Sequence, residues 1–367
     1  MNDAEYMSLA LKLAKQGAGL TSPNPMAGAV IVKNGRIIGQ GWHRQYGGLH
    51  AERAALADCT ENPEGAVLYV TLEPCCHYGK QPPCTEAILA AGIRRVVIGS
   101  SDPNPLVSGK GTDFLRVNGA AVTEHVLQED CDRVNEVFFH YIQTKRPFVV
   151  MKYAMTMDGK TAAYTGASKW ITGEAARNHV QQQRFRYSAV MAGVGTILAD
   201  DPLLTCRIAE KNPVRIICDT YLRTPLHSQI IRTAREIPTI LATCCSDRSR
   251  LAVYRNTGCR ILTLGKKNGH VDLSQLMDQL GQEQIDSILL EGGSTLNWSA
   301  LESRIVQRIQ TYIAPKLFGG QEARTPIEGS GVPFPGDAFF LKNCTLKKLG
   351  DDFLIESEVD YSVYGNC

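Results

Sequence analysis

Long apolar runs are missing from this sequence. No stretch approaches the roughly 18 uninterrupted apolar residues that a membrane-spanning helix needs, so no membrane partner is expected. An excess of either charge is missing too. Lys and Arg number 39 against 37 Asp and Glu, a formal net charge of +2. A surface so balanced argues against general affinity for nucleic acid, which needs a concentrated basic face; one phosphate on a small molecule remains compatible with it. Internal repeats and low-complexity tracts are absent. So is the Gly-x-Gly-x-x-Gly fingerprint: "AGVGTIL" offers Gly193 and Gly195, but Leu198 stands where the third glycine belongs, which leaves a standard dinucleotide fold unsupported. The opening "MNDAEYMSLALKLAKQG" lacks the apolar core of a signal peptide. A cytoplasmic protein is therefore expected, whose 12 cysteines pack in the core or bind metal rather than form disulfides. The pair Cys244–Cys245, closing the apolar run "IPTILATCC", reads as packing.

What is present suffices for two cores. A chain of 367 residues, 44% hydrophobic and 21% charged, suits two globular domains. The polar, proline-ended "TKRP" at 144–147 is the natural boundary, giving domains 1–145 and 146–367. In the first, Asp3 can cap a helix closed by Gly17, and two β-rich runs flank Asn34–Gly35, a strong hairpin signal. A helix over 50–59, the strand "AVLYVTL", the helix "CTEAILAAG" and the strand "RRVVIGS" follow. The loop "DPNPLVSGKG" leads to helix, strand and one long final helix, "LQEDCDRVNEVFFHYIQTK". The second domain alternates similarly, from "PFVVMKYAM" through a helix over about 173–186 to the strands "RIQTYIAPKL" and "FLIESEV", with "EGSGVPFPGDAFF" as surface loop. Strands joined through helices predict an α/β layer fold with a largely buried sheet.

Chemistry concentrates first in "LHAERAALADC" and "TLEPCCHYGKQPPC". A hydrolytic zinc site uses three protein ligands and an open fourth position; His50, Cys75 and Cys84 supply that set. Both cysteines follow prolines, and Cys84 opens a helix, whose positive end favours a thiolate. Glu52 is left unligated beside the metal. Zinc lowers the pKa of its water from about 15.7 to about 7, and a free carboxylate can carry that proton to a leaving amine. Zinc nucleobase deaminases combine His-x-Glu with Pro-Cys-x-x-Cys. This chain departs from that spacing: position 78 is Tyr78, and the next cysteine comes only after "CHYGKQPP".

The longer gap, with "TSPNPMAGAVIV" upstream and "DPNP" downstream, resembles the deaminase domain of the RibD family of bifunctional riboflavin-biosynthesis proteins. Cys76 stands where that family leads one to expect serine. The resemblance implies a cytidine-deaminase-like three-layer αβα domain binding one zinc. It also implies a diaminopyrimidinone carrying a ribosylamino 5′-phosphate as substrate, with Asn24, His43, His77 and Asn104 as candidates to grip it. For Asn24 and Asn104, each before a proline, simple turn chemistry is the other reading.

In the second half, the strand "SILLEGG" runs into a helix near Ser294–Thr295. Glycines there admit close approach, and the free N–H groups of a helix start bind phosphate; a plain strand-to-helix turn is the alternative. The succession "KYAMTMDGKTA", "GASKWITG", "AGVGTILADDPLLTCR", "EGGSTLN" and "YIAPKLFGG" resembles the reductase domain of the same family, which implies a dihydrofolate-reductase-like α/β fold. The likeness implies NADPH against Ala154, Trp170, Thr172, Thr196, Asp200, Thr220 and the turn Gly292, Gly293, Ser294, Thr295 and Leu296. It implies the sugar-phosphate substrate against Ser168, Arg184, Leu204, Arg207 and Glu291, with Lys152 nearby. Arg184 and Arg207 are the types that fork onto phosphate, although "QQQRFR" also reads as a solvated helix face. Lys152 and Asp158 are candidates for the proton donor, Asp158 also being a turn type. The expected protein is a two-step enzyme with small-molecule substrates and a homo-oligomer, such enzymes often being symmetric assemblies. A nucleoside or tRNA-adenosine deaminase and a catalytically silent nucleotide sensor are the competing readings.

Overall fold

The computed structural model describes residues 1–79 and 81–362; the last five residues of the expected second domain, 363–367, lie outside the described residues. Two compact units emerge, one spanning Met1–Lys145 and one running from Arg146 onward. Among the described residues no helix is long and apolar enough to cross a membrane.

The first unit opens with α1 (Asp3–Ala14). Its cap is Asn2 rather than Asp3: the Asn2 side chain accepts from the Glu5 amide at 2.9 Å, and Glu5 accepts from the Asn2 amide at 2.8 Å, a reciprocal capping box. Asp3 is thereby released to pair with Arg95 and accept from the Tyr69 hydroxyl. β1 (Gly28–Lys33) and β2 (Arg36–Trp42) form the expected hairpin. Asn34 and Gly35 both take positive φ, 50° and 75°, the twist a two-residue turn needs. α2 (Ala51–Ala57), β3 (Val67–Leu72), α3 (Cys84–Ala90), β4 (Arg95–Ser100), α4 (Lys110–Val117) and β5 (Ala121–Thr123) follow. The sheet runs β2-β1-β3-β4-β5, antiparallel through β1 and parallel from β3 to β5.

Strand periodicity sorts its side chains. Ala29, Ile31, Leu68, Val70, Val96 and Ile98 pack on one face with Ala51, Ala55, Ile88 and Leu115. Val30, Val32, Tyr69 and Val97 pack on the other with Met7, Ala10, Leu11 and Cys131. Helices on both faces make three layers. The long final helix of the sequence reading is two, α5 (Gln128–Val134) and α6 (Glu136–Thr144). Asn135 interrupts it: its buried amide accepts from the Met26 N–H at 2.8 Å and donates to the Met26 carbonyl at 2.9 Å. That pairing satisfies a backbone segment beside Asn24 and Pro25, which a continuous helix would leave without partners.

The second unit carries β6 (Phe148–Thr156), α7 (Glu174–Arg186), β7 (Ala189–Gly193), α8 (Val194–Asp200), β8 (Val214–Cys218), α9 (Gln229–Arg232) and β9 (Thr239–Thr243). Then come α10 (Arg248–Asn256), β10 (Arg260–Thr263), the small hairpin β11 (Lys266–Lys267) and β12 (His270–Val271), α11 (Leu273–Gln282), β13 (Ser287–Leu290), α12 (Ser294–Glu302) and β14 (Val306–Ala314). β15 (Phe340–Leu349) and β16 (Asp352–Asp360) end it. Nine strands form one sheet in the order β10-β9-β8-β7-β13-β6-β14-β16-β15. It is parallel except where β16 joins β14 and β15. One face buries Val149, Met151, Met191, Ile216 and Ile288 under α11 and α12; the other buries Tyr312 and Leu354 under Ala176 and Val180 of α7.

The sheet is less buried than the alternation suggested. β15 is exposed from Phe340 to Lys348, because it is the edge strand and its lysine-rich sequence faces water. α8, α9, α10, the β11–β12 hairpin and β15 have no counterpart in the sequence reading. α8 starts directly at the end of β7 with no polar punctuation between them.

Candidate active sites

In the first unit, β3 delivers Cys75 just beyond its end, α2 starts one residue after His50, and Cys84 is the first residue of α3. The three ligand atoms lie within 4.8 Å of one another. His50 Nδ1 is 3.5 Å from Cys75 Sγ and 3.4 Å from Cys84 Sγ. A tetrahedral zinc with Zn–S about 2.3 Å and Zn–N about 2.0 Å sets nitrogen and sulfur about 3.5 Å apart. The residues therefore fit a zinc ion. The Cys84 amide also donates to Cys75 Sγ at 3.4 Å. A hydrogen bond from the Cys84 thiol, chiefly, holds the Cys75 thiol down at about 4; the same bond and burial push Cys84 upward. A zinc ion held here would take both cysteines as thiolates.

Glu52 is 4% exposed. Burial first, then the Cys75 charge, raises its carboxyl to about 7, the range suited to proton transfer near neutrality. A pocket of about 260 Å³ lies in front, its lining including Glu52, His50, Asn24, His43, His77 and Asn104, together with Asp102, Val107 and Phe138. All four candidate substrate residues therefore meet at one place. His43 is 3.2 Å from the Asn24 amide nitrogen and 2.9 Å from the Leu49 carbonyl. One donation and one acceptance fix its state: Nδ1 donates to the Leu49 carbonyl and Nε2 accepts from the Asn24 amide, so the imidazole is neutral, as its burial also favours. His77 Nδ1 is buried without a partner among the described residues. Asn104 fulfils its turn role as well, donating to Asp102 at 2.8 Å and accepting from the Leu106 amide at 3.1 Å.

Three residues here were missed by sequence reasoning. Arg53 donates to the Pro82 and Pro83 carbonyls at 3.2 and 2.9 Å, tying the loop before Cys84 to α2. Glu73, two residues before Cys75, accepts from the Asp102, Gly109, Gly111 and Thr112 amides at 3.0–3.3 Å. It caps α4 from outside and fixes the loop bearing Asp102 and Asn104. Burial raises Asp102 to about 6. The "LEP" and "DPNP" strings were visible, but nothing local says that one carboxylate would hold the other loop.

In the second unit a cavity of about 600 Å³ opens beyond the carboxyl ends of the parallel strands, where open α/β sheets bind ligands. Lys152, Ala154, Ser168, Thr196, Asp200, Thr220 and Glu291 line it, with the Gly292–Leu296 turn. α12 has no side-chain cap at Gly293, so its first N–H groups are available to phosphate. A side chain on Gly293 would first meet Thr196 Oγ1, at 3.7 Å, so the turn is bare on the cavity side. These features fit a dinucleotide.

Trp170, Thr172, Arg184, Leu204 and Arg207 do not line that cavity. Trp170 is 62% exposed, with Arg177 stacked 4.7 Å from its ring centroid, and the Thr172 carbonyl accepts from Arg177. Leu204 is buried with φ 52°; its segment is held by the fully buried Arg215, which donates to the Leu203 carbonyl at 3.3 Å and to Thr239 and Thr233. Arg207 is exposed.

Arg184 differs from expectation: its fork grips Glu291 at 2.6 and 2.9 Å and the Thr205 carbonyl at 3.0 Å. A guanidinium so engaged is not free to fork onto phosphate, nor is the helix face solvated. Lys152 Nζ lies 3.9 Å from the same carboxylate. Burial pushes Glu291 up, but Arg184 and Lys152 together outweigh it and hold it at about 2. Burial lowers Lys152 against the pull of Glu291. Asp158 accepts from the Thr156 hydroxyl and the Phe318 and Gly319 amides and is held at about 2, the behaviour of a turn residue. Cavity residues that the sequence did not suggest include Tyr221, Arg223, His270 and Arg324, from segments with no shared motif.

A His/Cys/Cys group that fits zinc in one unit and a strand-end cavity that fits a dinucleotide in the other are together the candidate sites of a bifunctional deaminase–reductase. Residues 1–100 match the model of the cytidine and deoxycytidylate deaminase zinc-binding region, and residues 147–354 that of the RibD C-terminal domain. The chain is 54% identical to the riboflavin biosynthesis protein RibD of Actinobacillus pleuropneumoniae, over 97% of this chain and 95% of that one. It is 41% identical to RibD of Aquifex aeolicus, over 96% and 97%. Among solved structures, Acinetobacter baumannii RibD superposes with TM-score 0.87 at 34% identity, covering 98% and 99%. A diaminohydroxyphosphoribosylaminopyrimidine deaminase/5-amino-6-(5-phosphoribosylamino)uracil reductase from Thermotoga maritima gives 0.84 at 37%, with the same coverage. The chain belongs to the RibD family: it is a zinc deaminase and NADPH reductase of riboflavin biosynthesis.

Proposed function

We propose that the chain hydrolyses the ring amine of a 2,5-diamino-6-ribosylamino-4(3H)-pyrimidinone 5′-phosphate and then reduces the ribosyl group of the resulting uracil to ribityl. The observation carrying this reading is the zinc-compatible spacing of His50, Cys75 and Cys84 with Glu52 buried and unligated beside them. Zinc supplies Lewis acidity and a water of lowered pKa. Glu52 takes a proton from that side and returns it to the departing amine as ammonia. Asn24, held by His43, and Asn104 with His77 orient the pyrimidine and ribose phosphate against it.

In the second cavity NADPH supplies the hydride, delivered to C1 of the ring-opened ribosylamine. Ala154, Thr196, Asp200, Thr220 and the Gly292–Leu296 turn hold the cofactor; Trp170 and Thr172 close over it from outside the cavity lining. Ser168 and Glu291 face the sugar, while Leu204 and Arg207 approach it from the neighbouring segment. Arg184 orients Glu291. Lys152 is the proton donor we assign, since it lines the cavity whereas Asp158 is occupied in its turn. A cytoplasmic location and a homo-oligomer are part of the same reading. Zinc-loaded protein given the diaminopyrimidine should release ammonia before NADPH is added, and oxidise NADPH only afterwards. Ammonia without NADPH oxidation would overturn the assignment of the second unit.

A further inference from the structure

Beneath α7 the second sheet carries a row of polar side chains that the assigned roles leave unused. In the register of β6, β14 and β16, Gln310 stands opposite Lys152 on one side and Glu356 on the other, and Tyr312 stands between Ala154 and Leu354. Side chains along a strand face alternate ways, so Lys152, Gln310, Tyr312 and Glu356 share one face. α7 covers it, with Ala176 and Val180 packed on Tyr312 and Leu354. Gln310 and Tyr312 are each 1% exposed.

The hydrogen bonds in this row have one consistent direction. A carboxylate only accepts, so the Gln310 amide turns its NH2 toward Glu356 at 2.8 Å. The second N–H of that group reaches the Gln183 Oε1 at 3.2 Å. Gln183 then presents its own NH2 to His179 Nε2, 3.3 Å away. Nε2 therefore accepts and Nδ1 carries the hydrogen, which it donates to the Tyr312 hydroxyl oxygen at 2.7 Å. The imidazole is neutral, the state its burial favours. Each group in the chain fixes the next, and the last one fixed is the phenol ring.

That ring lies against Lys152. Nζ is 5.7 Å from the ring centroid, within the reach of a cation–π contact. The Lys152 side chain is 17% exposed, and its ion-pair partner Glu291, 3.9 Å away, already has both oxygens gripped by Arg184. A lysine stem is flexible, whereas transfer to a bound substrate tolerates little misplacement. We infer that Tyr312 is a positioning residue of the reduction step, its ring face holding the Lys152 ammonium at the cavity, and that His179 fixes that ring through the chain from Glu356. This rests on reading Lys152 as the proton donor.

The test follows NADPH-dependent reduction of deaminated substrate by the full zinc-loaded chain. The variants are Tyr312→Leu, Tyr312→Phe, His179→Leu, the last two combined, and Lys152→Met. Losing the ring should lower kcat on the order of 5- to 30-fold, with KM and calorimetric NADP⁺ affinity within about threefold. It also removes a contact that favours the ammonium, so the alkaline limb of the kcat profile should move down by roughly half to one pH unit. The charged groups around it, Glu291 after β13, Arg184 on α7 and Glu356 on β16, stay as they are. Tyr312→Phe keeps the ring and should hold kcat within about threefold, with the limb in place. His179→Leu should lower kcat about two- to threefold and add nothing in the Tyr312→Phe background.

Tyr312→Leu with kcat and limb unchanged, or Tyr312→Phe falling as far as Tyr312→Leu, overturns the inference. So does a raised KM with kcat kept. If Lys152→Met abolishes reduction while Tyr312→Leu does not slow it, the proton-donor reading stands and the positioning role falls. If Lys152→Met reduces substrate at the wild-type rate, that reading falls and takes the inference with it. Should Tyr312→Leu lose NADP⁺ binding altogether, His179→Leu decides: an unchanged kcat there overturns the inference.

Discussion

Glu52 and Glu291 are both buried carboxylates, and their surroundings drive them in opposite directions. Among the described residues no lysine or arginine pairs with Glu52, and burial outweighs the pull of His50 and raises it to about 7; Glu291 sits between Arg184 and Lys152 and is held at about 2. The first is placed to exchange protons, the second to remain a charge. Glu52→Gln, nearly isosteric, should retain zinc by metal analysis and retain NADPH-dependent reduction of deaminated substrate, yet lose ammonia release by 10²-fold or more, the usual scale of general acid–base catalysis. Retained ammonia release would sink the proton-shuttle role. For Glu291 the sign follows from its lowered value: the ionised form is favoured in the folded state, so its contribution is fully present above about 4.5 and is lost as pH falls through about 2. That contribution is on the order of 3 kcal/mol. Urea midpoints measured from pH 5 to 2 should fall more steeply for the wild type than for Glu291→Gln. Parallel curves would remove Glu291 from the acid response. Neither value was legible beforehand, because a carboxylate's environment comes from residues distant in the chain. Arg184 lies 107 positions from Glu291.

At the scale of elements, α2 and α3 were legible because His50 and Cys84 stand at their starts and the apolar periodicity follows. What only packing decides is how close α2 comes to the sheet. Gly41 on β2 is the contact point: a Cβ there would lie 2.3 Å from the Ala55 nitrogen and 2.7 Å from the Ala51 carbonyl oxygen. Those are backbone atoms and cannot rotate away. Gly41→Ala should therefore push α2 outward, destabilise by about 1–3 kcal/mol as overpacking does, and carry His50 off the zinc position. Zinc affinity measured by competition with a chelator should drop with it. Unchanged affinity in a folded Gly41→Ala chain would show that the metal centre does not depend on this approach. The break between α5 and α6 has the same origin. Asn135 looks helical in its local window, and only its bond to Met26, 109 residues away, makes it a stop.

At the scale of the whole molecule, two chemistries occupy two separate compact units. Removing zinc with a strong chelator should abolish ammonia release while NADPH oxidation on already deaminated substrate continues; re-adding zinc should restore the first activity. A parallel loss of both would mean that the second activity also depends on the metal centre. The sequence by itself determined the division into two α/β halves, the period of the strands, the hairpin at Asn34–Gly35 and the candidate trio His50, Cys75 and Cys84 with Glu52. Each of these is written in short windows, where spacing, turn chemistry and side-chain type act locally. The tertiary structure alone decided that Arg184 is spent on Glu291 and that Glu73 anchors the loop bearing Asp102 and Asn104. Those outcomes depend on which distant groups burial forces together, because a buried charge or amide must find its partner wherever the fold happens to bring one.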